Sequence, residues 1–387
     1  MMPIISFVIP VYNNEKYVLN AVNSIIKQIN DYDVEIVVVD DGSTDATGRI
    51  LDERYGDKSN IRIIHQPNTW VYGAMNRGIN EARGEYIYIL NSDDRLLDYA
   101  VKLLLLKIEE HNHPDVIYTR TMIAQVDDNQ RIMGILNGKE YICKEECYEK
   151  KELIKRWVEI DSKSLMDTAN LFKRELMIKH PFTNKYFCAD NYFNIEIISD
   201  IGSAVLLPQI IYEHFIYASP DRNVSKGKYY DYAHDAYDEL LKRKLDFINK
   251  WDLGSDDVDY VIKQRLRLLT SQIKSLNYYN CALTLSEKVE RIVNEYTSGI
   301  ISIAVKDTKF NREYESRLLN GLADLLKEST EELDDKYGFV YQLVKYLPKN
   351  HLENISLSKT EMMAVEKAIS NNNNKRRLGD IYYHTNW

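Results

Sequence analysis

Within the first hundred residues, short apolar runs alternate with segments of helical periodicity, and this alternation restricts what the chain can fold into. Residues 4–11, 34–39, 61–64 and 86–90 are almost continuously apolar, as strands of a parallel sheet buried on both faces must be. Between them, 15–28, 44–55 and 73–82 repeat apolar positions with the helical period. In the first of these Tyr17, Val18, Ala21, Val22, Ile25 and Ile26 share one face. Strand, helix and strand in that order predict βαβ units and an α/β fold. Each strand ends in a polar cluster: Tyr12-Asn13-Asn14, Asp40-Asp41-Gly42-Ser43, Gln66-Pro67-Asn68 and Asn91-Ser92-Asp93-Asp94. Open parallel sheets bind ligands outside the carboxyl ends of their strands, so the four clusters predict one site.

From Leu96 the pattern is mixed. It predicts a helix over 97–111, a strand over 116–126, helices over 150–160, 171–179 and 190–199, and a strand over 204–211. Beyond about Ser225 it changes to amphipathic helices over 229–249, 256–277, 284–297, 313–327, 337–346 and 359–369, closed by a polar tail that contains Lys375-Arg376-Arg377. The expected domains are 1–227 and 228–387. A chain that is 44% hydrophobic and 28% charged folds as a soluble protein, and its net charge of −9 excludes a general nucleic-acid binder. No run approaches the roughly 20 apolar residues that cross a bilayer. The start, Met1-Met2-Pro3, has no basic leader, so the cytoplasm is the expected compartment. There, Cys143, Cys147, Cys188 and Cys281 are expected to be reduced thiols.

Carboxylates at the ends of buried strands fit two descriptions. Asp41 and its neighbours suit a turn and helix cap, with Gly42 permitting the turn and Ser43 or Thr44 capping. Asp93 and Asp94 suit either a solvated turn or a pair of hard oxygen ligands for Mg²⁺ or Mn²⁺, which in turn suit a diphosphate. A dinucleotide-binding dehydrogenase needs a glycine-rich turn after the first strand, and Pro10-Val11-Tyr12-Asn13-Asn14 does not supply it. A sugar nucleotidyltransferase needs a Gly- and Arg-rich phosphate loop near the N-terminus, and none is there.

The order and spacing of the pieces narrow the field. Phe7-Val8-Ile9-Pro10-Val11-Tyr12-Asn13, then Glu35-Ile36-Val37-Val38-Val39-Asp40-Asp41-Gly42-Ser43-Thr44-Asp45, then Asn76-Arg77-Gly78-Ile79, Gly84-Glu85-Tyr86-Ile87 and Ser92-Asp93-Asp94 resemble the family two glycosyltransferases. The resemblance is dense over about 4–110, thinner to about 225, and does not reach the helical part. It implies a GT-A domain, the Rossmann-like fold of nucleotide-diphospho-sugar transferases, followed by a helical accessory domain. It also implies transfer from a UDP-sugar with inversion.

By that resemblance Pro10, Tyr12 and Asp41 seat the donor base, Asn68 touches ribose or base, and Asn91, Ser92 and Asp93 contact the nucleotide-sugar. Asp93 also stands at the last acidic position of the D-x-D metal motif, with Asp94 after it and His214 as a further ligand to Mn²⁺ or Mg²⁺. Asn91 replaces the motif's first acid. Met75 stands where the family has Arg, and Arg77 is the substitute phosphate contact. In Phe182 to Phe193, Asp190 resembles the catalytic base, with Ala189 in place of the usual first acid; Asp190 also suits a helix N-cap. Arg222 and Ser225 resemble a loop over the diphosphate. Trp70 and Tyr72 either line the donor sugar or pack their helix.

The implied acceptor is a hydroxyl of a growing bacterial surface glycan, lipid-linked or on a glycoprotein, at the cytoplasmic face. The helical domain would serve acceptor recognition, self-association or docking on the inner leaflet. Because Met75, Ala189 and Asn91 depart from the pattern, a binding or scaffold protein that kept the fold and lost turnover is the alternative.

Overall fold

The computed structural model describes residues 2–29, 34–136, 144–162, 169–185, 188–217, 228–278, 280–298, 300–306 and 308–328. Contacts divide the chain into two compact units, Met1–Val224 and Ser225–Trp387.

In the first unit β1 (Ile5–Val11), α1 (Val18–Ile26), β2 (Val34–Asp40), α2 (Thr47–Tyr55), β3 (Ile61–His65), α3 (Val71–Glu81) and β4 (Tyr86–Ile89) alternate as the periodicity predicts. There follow β5 (Arg95–Leu96), α4 (Ala100–Glu110), β6 (Val116–Val126), β7 (Ile132–Ile135), β8 (Glu146–Glu149), α5 (Lys150–Lys155), α6 (Trp157–Ser162), β9 (Leu171–Lys173), α7 (Arg174–Lys179), α8 (Ala189–Ile197) and β10 (Ser203–Tyr217). One mixed sheet orders these strands β3-β2-β1-β4-β9-β6-β10-β5, with β7 beside β6 and β8 beside β10. β1, β2, β3 and β4 are parallel, so their carboxyl ends share one edge.

Both faces of this half are covered. Ile5, Phe7 and Ile9 pack with Val18, Val22 and Ile25 of α1 on one side. On the other, α3 lies so close that a Cβ on Gly78 would stand 2.3 Å from Val8 Cγ1. All seven residues of β1 are buried, which is why its sequence does not alternate.

The structure corrects the helix expected over 171–179. Leu171–Lys173 is instead a strand, antiparallel to both β4 and β6, and the helix begins only at Arg174. Leu171 and Phe172 fill the sheet interior at 0% and 1% exposure. Lys173 Nζ is held by Asp115 Oδ1 at 2.9 Å. The helix expected over 150–160 is divided at Arg156. The strand expected over 204–211 runs on to Tyr217, with register shifts around Pro208, a residue that has no N–H for the ladder.

The second unit contains α9 (Ala233–Lys250), α10 (Ser255–Ser275), α11 (Leu285–Ser298), α12 (Ile300–Val305) and α13 (Asn311–Glu328). α10 packs on α9, α12 and α13, with Gly321 of α13 pressed against Ile273. The helices expected over 337–346 and 359–369 and the polar tail lie outside the described residues. No helix among the described residues is long and apolar enough to cross a membrane. Cys147, Cys188 and Cys281 are free thiols, and Cys143 lies outside the described residues.

Candidate functional site

Four loops meet at the carboxyl edge of the parallel half, and side chains knit them together. Asn13, in the left-handed region at φ 47, accepts through Oδ1 from Thr44 N at 2.7 Å, and its own N–H donates to Ser43 Oγ at 2.9 Å. Asn14 Nδ2 donates to Ser92 Oγ at 2.9 Å, which ties the first strand end to the fourth. Gly42 has φ 77, and a Cβ there would stand 2.8 Å from Asn68 N, so only glycine lets the second loop pass the third.

Asp40 and Asp41 separate in function although both are buried. Asp40 Oδ2 takes His65 Nδ1 at 2.8 Å and its Oδ1 caps the turn at Ser43 N, so it is a structural carboxylate. Asp41 Oδ1 accepts from Gln66 Nε2, Thr69 N and Thr69 Oγ1 at 2.7, 2.9 and 3.0 Å. Its Oδ2 takes no hydrogen bond among the described residues. Pro10 is buried in β1, Tyr12 follows it half exposed, and exposed Asn68 accepts from Trp70 N at 3.1 Å. Trp70 has φ 74 and ψ 159, a backbone conformation otherwise left to glycine, and 46% of it is exposed.

At the fourth strand end the two adjacent acids differ sharply. Asp94 is fully buried; its Oδ1 accepts from Phe215 N at 2.8 Å and its Oδ2 from Tyr212 Oη, His214 Nδ1 and Asn91 Nδ2 at 2.6, 3.0 and 3.1 Å. The Asp93 carboxylate receives no hydrogen bond from any other described residue. Burial, reinforced by the charge of Asp94, pushes its pKa up to about 7. Asp93 thus presents a half-buried carboxylate that no other described residue holds, beside Asp94, whose oxygens are both engaged; a hard divalent cation takes oxygen donors of this kind.

Asp190 lies in the first turn of α8, whose N-cap position is Cys188, so the cap reading of Asp190 does not hold. Burial raises its pKa, against hydrogen bonds from Asn191 and from the Tyr72 hydroxyl. Tyr72 also stacks on Phe182 at 5.8 Å, and Asn76 exchanges two hydrogen bonds with the Phe182 backbone. Asn184 Nδ2 donates to Thr69 O at 2.6 Å. Segment 66–72 thus anchors both Asp41 and the loop before Asp190.

Arg77 pairs with Glu81 at 3.0 Å on the exposed side of α3, and no described contact joins it to the strand ends. Arg222 and Ser225 lie outside the described residues. Sequence reasoning placed Asn14 and Gln66 in the strand-end clusters without giving either a role and missed Thr69, because these roles depend on which loops meet; Tyr72 was noticed, but not its bond to Asp190.

Other clusters do not compete for this role. Glu110, His111 and Glu145 lie together, as do His234, Asp238 and Glu295. Lys107 already pairs with Glu110 and Glu145, and Arg265 with Asp238 and Glu295, so each cluster has its own cation. A cavity of about 380 Å³ in the second unit, lined by Tyr229, His234, Gln272 and Arg291 among others, shares no residue with the strand ends.

Residues 6–180 match glycosyl transferase family 2. Glycosyltransferase GlyG of Streptococcus pneumoniae is 32% identical over 189 residues, covering 48% of this chain and 61% of GlyG. This chain therefore spans less than two thirds of that relative. EpsJ of Bacillus subtilis, an uncharacterized glycosyltransferase, is 24% identical over 332 residues, 83% of this chain and 90% of EpsJ. Among solved structures, S. aureus TarS 1-349 in complex with UDP-GlcNAc aligns at a TM-score of 0.46 and 19% identity over 95% of this chain and 91% of that one. Residues 6–180, which carry most of the mixed sheet and its polar strand ends, are thus similar to glycosyl transferase family 2.

Proposed function

We propose that the protein is a metal-dependent, inverting glycosyltransferase that moves a sugar from a UDP-sugar to a hydroxyl of a growing surface glycan. The observation that carries this reading is the Asp93 carboxylate, half-buried and held by no other described residue, beside a fully engaged Asp94. The similarity of residues 6–180 to glycosyl transferase family 2 supports the reaction class.

Asp41 Oδ2 accepts from uracil N3–H, while Gln66 and Thr69 hold the other oxygen. Asp93 would hold Mn²⁺ or Mg²⁺. Asp94, turned inward, fixes the loop from behind, with His214 hydrogen-bonded to it. When bound, the cation supplies positive charge for the leaving diphosphate. Asp190 takes the proton of the acceptor hydroxyl as that hydroxyl attacks; its raised pKa makes it a stronger base, and Tyr72 holds it in place. Arg222 and Ser225, which follow β10 in sequence, would clamp the diphosphate. The acceptor is a capsule, wall-polymer or glycoprotein chain at the cytoplasmic face of the membrane, with the helical unit serving acceptor binding, self-association or membrane docking.

Calorimetric titration of UDP with and without Mn²⁺ tests the reading. Binding is expected to require the cation and to weaken more than about hundredfold in Asp93→Ala. Absence of UDP binding to the wild type under both conditions would sink the proposal and favour a protein that kept the fold without turnover.

A further inference from the structure

The turn between β6 and β7 reaches back to the strand ends. Gln130 sits in this turn at φ 58 and is only 6% exposed. Its Nε2 donates to the backbone carbonyl of Asp93 at 2.8 Å and to Tyr217 Oη at 2.9 Å, while its Oε1 accepts from Asn20 Nδ2 at 2.8 Å. Both amide hydrogens are therefore used. The Tyr217 hydroxyl donates in turn to the same Asp93 carbonyl at 3.2 Å. Its ring stacks on Tyr17 at 4.9 Å, and Tyr17 Oη donates to Asp128 O of the turn at 2.9 Å.

The turn does not need the Gln130 side chain in order to close. Asp127 already accepts through its carbonyl from Gln130 N at 3.0 Å, and through Oδ1 from Asn129 N and Arg131 N at 2.8 and 2.9 Å. A left-handed backbone at a residue with a long side chain persists where the surroundings require it. Here what it delivers is a buried amide to one carbonyl. That carbonyl belongs to the peptide joining Asp93 to Asp94, whose N–H donates to Asn91 O at 3.1 Å. Gln130 and Tyr217 hold one edge of the peptide plane and Asn91 the other, so the Asp93 side chain is left with little freedom beyond its own rotamers.

We propose that Gln130 is a positioning residue: by fixing the Asp93–Asp94 peptide it sets where the Asp93 carboxylate stands for a divalent cation, without itself touching cation or donor. This rests on the reading of Asp93 as a cation ligand.

The test uses the full chain and Mn²⁺ titrated calorimetrically in the presence of UDP, with thermal unfolding alongside. Gln130→Met keeps the length and removes both donors; Gln130→Glu puts a carboxylate against the carbonyl. Mn²⁺ affinity is expected to fall about tenfold or more in both. Activity should return in part at high Mn²⁺, a response that a misfolded site would not give. Asn20→Leu, which removes the third bond but leaves the Asp93 carbonyl held, keeps wild-type affinity. Mn²⁺ affinity within about twofold of wild type in Gln130→Met, or an equal loss in Asn20→Leu, overturns the proposal. Should Gln130→Met fail to fold, Tyr217→Phe decides: it removes one donor to the same carbonyl and is expected to weaken Mn²⁺ about threefold, and unchanged affinity there overturns the proposal. A wild type that binds no UDP with Mn²⁺ fails at the earlier step, the reading of the site, and the two failures are thereby told apart.

Discussion

Asp93 and Asp94 follow one another in the chain, yet Asp94 has both oxygens engaged from within and Asp93 has neither engaged by another described residue. Spacing alone identifies such a pair as acidic and strand-terminal. Which of the two turns inward depends on Tyr212, His214 and Phe215, more than a hundred residues away. Asp190 shows the same limit, since a cap and a base look alike in sequence, and the structure removes the cap reading by placing Cys188 at that position. As the proposed base, Asp190→Asn is expected to lower kcat by about 10²–10⁴ while UDP affinity stays near that of wild type. Tyr72→Phe removes a hydrogen bond that lowers the Asp190 pKa, so the folded value rises further and the acid limb of the rate profile moves to higher pH. An unmoved limb would remove Tyr72 from the mechanism.

The element least visible in sequence is β9. Leu171-Phe172-Lys173 is too short for period 2 to be told from a helical start, and Arg174–Lys179 continues as a helix, so the run reads as one segment. What makes it a strand is tertiary: two flanking strands and Asp115, which takes Lys173 Nζ at 2.9 Å and the N–H groups of Gly202 and Ser203 at 2.7 and 3.1 Å. Burial opposes ionisation of Asp115, but these partners outweigh it and hold its pKa below 3.8. Its contribution to stability is therefore present above about pH 4 and lost as pH falls through the depressed folded value. Asp115→Asn should cost about 2–3 kcal/mol at neutral pH in denaturant melts, with the gap to wild type narrowing below pH 4. By contrast, β1 to β4 with α1 to α3 were legible because the strands are continuous apolar runs that end in polar clusters and the helices between them carry the helical period. The edge strands β5, β7 and β8 were not, being two to four residues long and defined by their partners. Gln130 was hidden for the same reason, lying in the turn before an unforeseen strand.

At the scale of the whole molecule, the two units are held in different ways. The first rests on its sheet; the second buries a charged knot in which Arg265 Nη2 meets Asp238 Oδ1 and Glu295 Oε1, each at 2.9 Å, and His234 Nδ1 meets Glu295 Oε2 at 2.5 Å. Arg265→Met leaves two buried carboxylates against one imidazole and should destabilise the second unit by about 3–5 kcal/mol. The Glu295 hydrogen bond raises the His234 pKa above 6.5 against the pull of burial. Stability from this pair is fully present below about pH 6.5 and is lost as pH rises through the raised folded value, and His234→Gln should flatten that dependence in thermal melts. The sheet of the first unit carries a consequence for how it is made. Among the described residues, β3-β2-β1-β4 and β6-β10 are joined in the sheet through the three residues of β9, which follow β4 by some eighty positions. While the chain is being synthesised, β4 leaves the ribosome with a bare edge, and that edge stays open to chaperones and to neighbouring nascent chains until residue 173 has emerged.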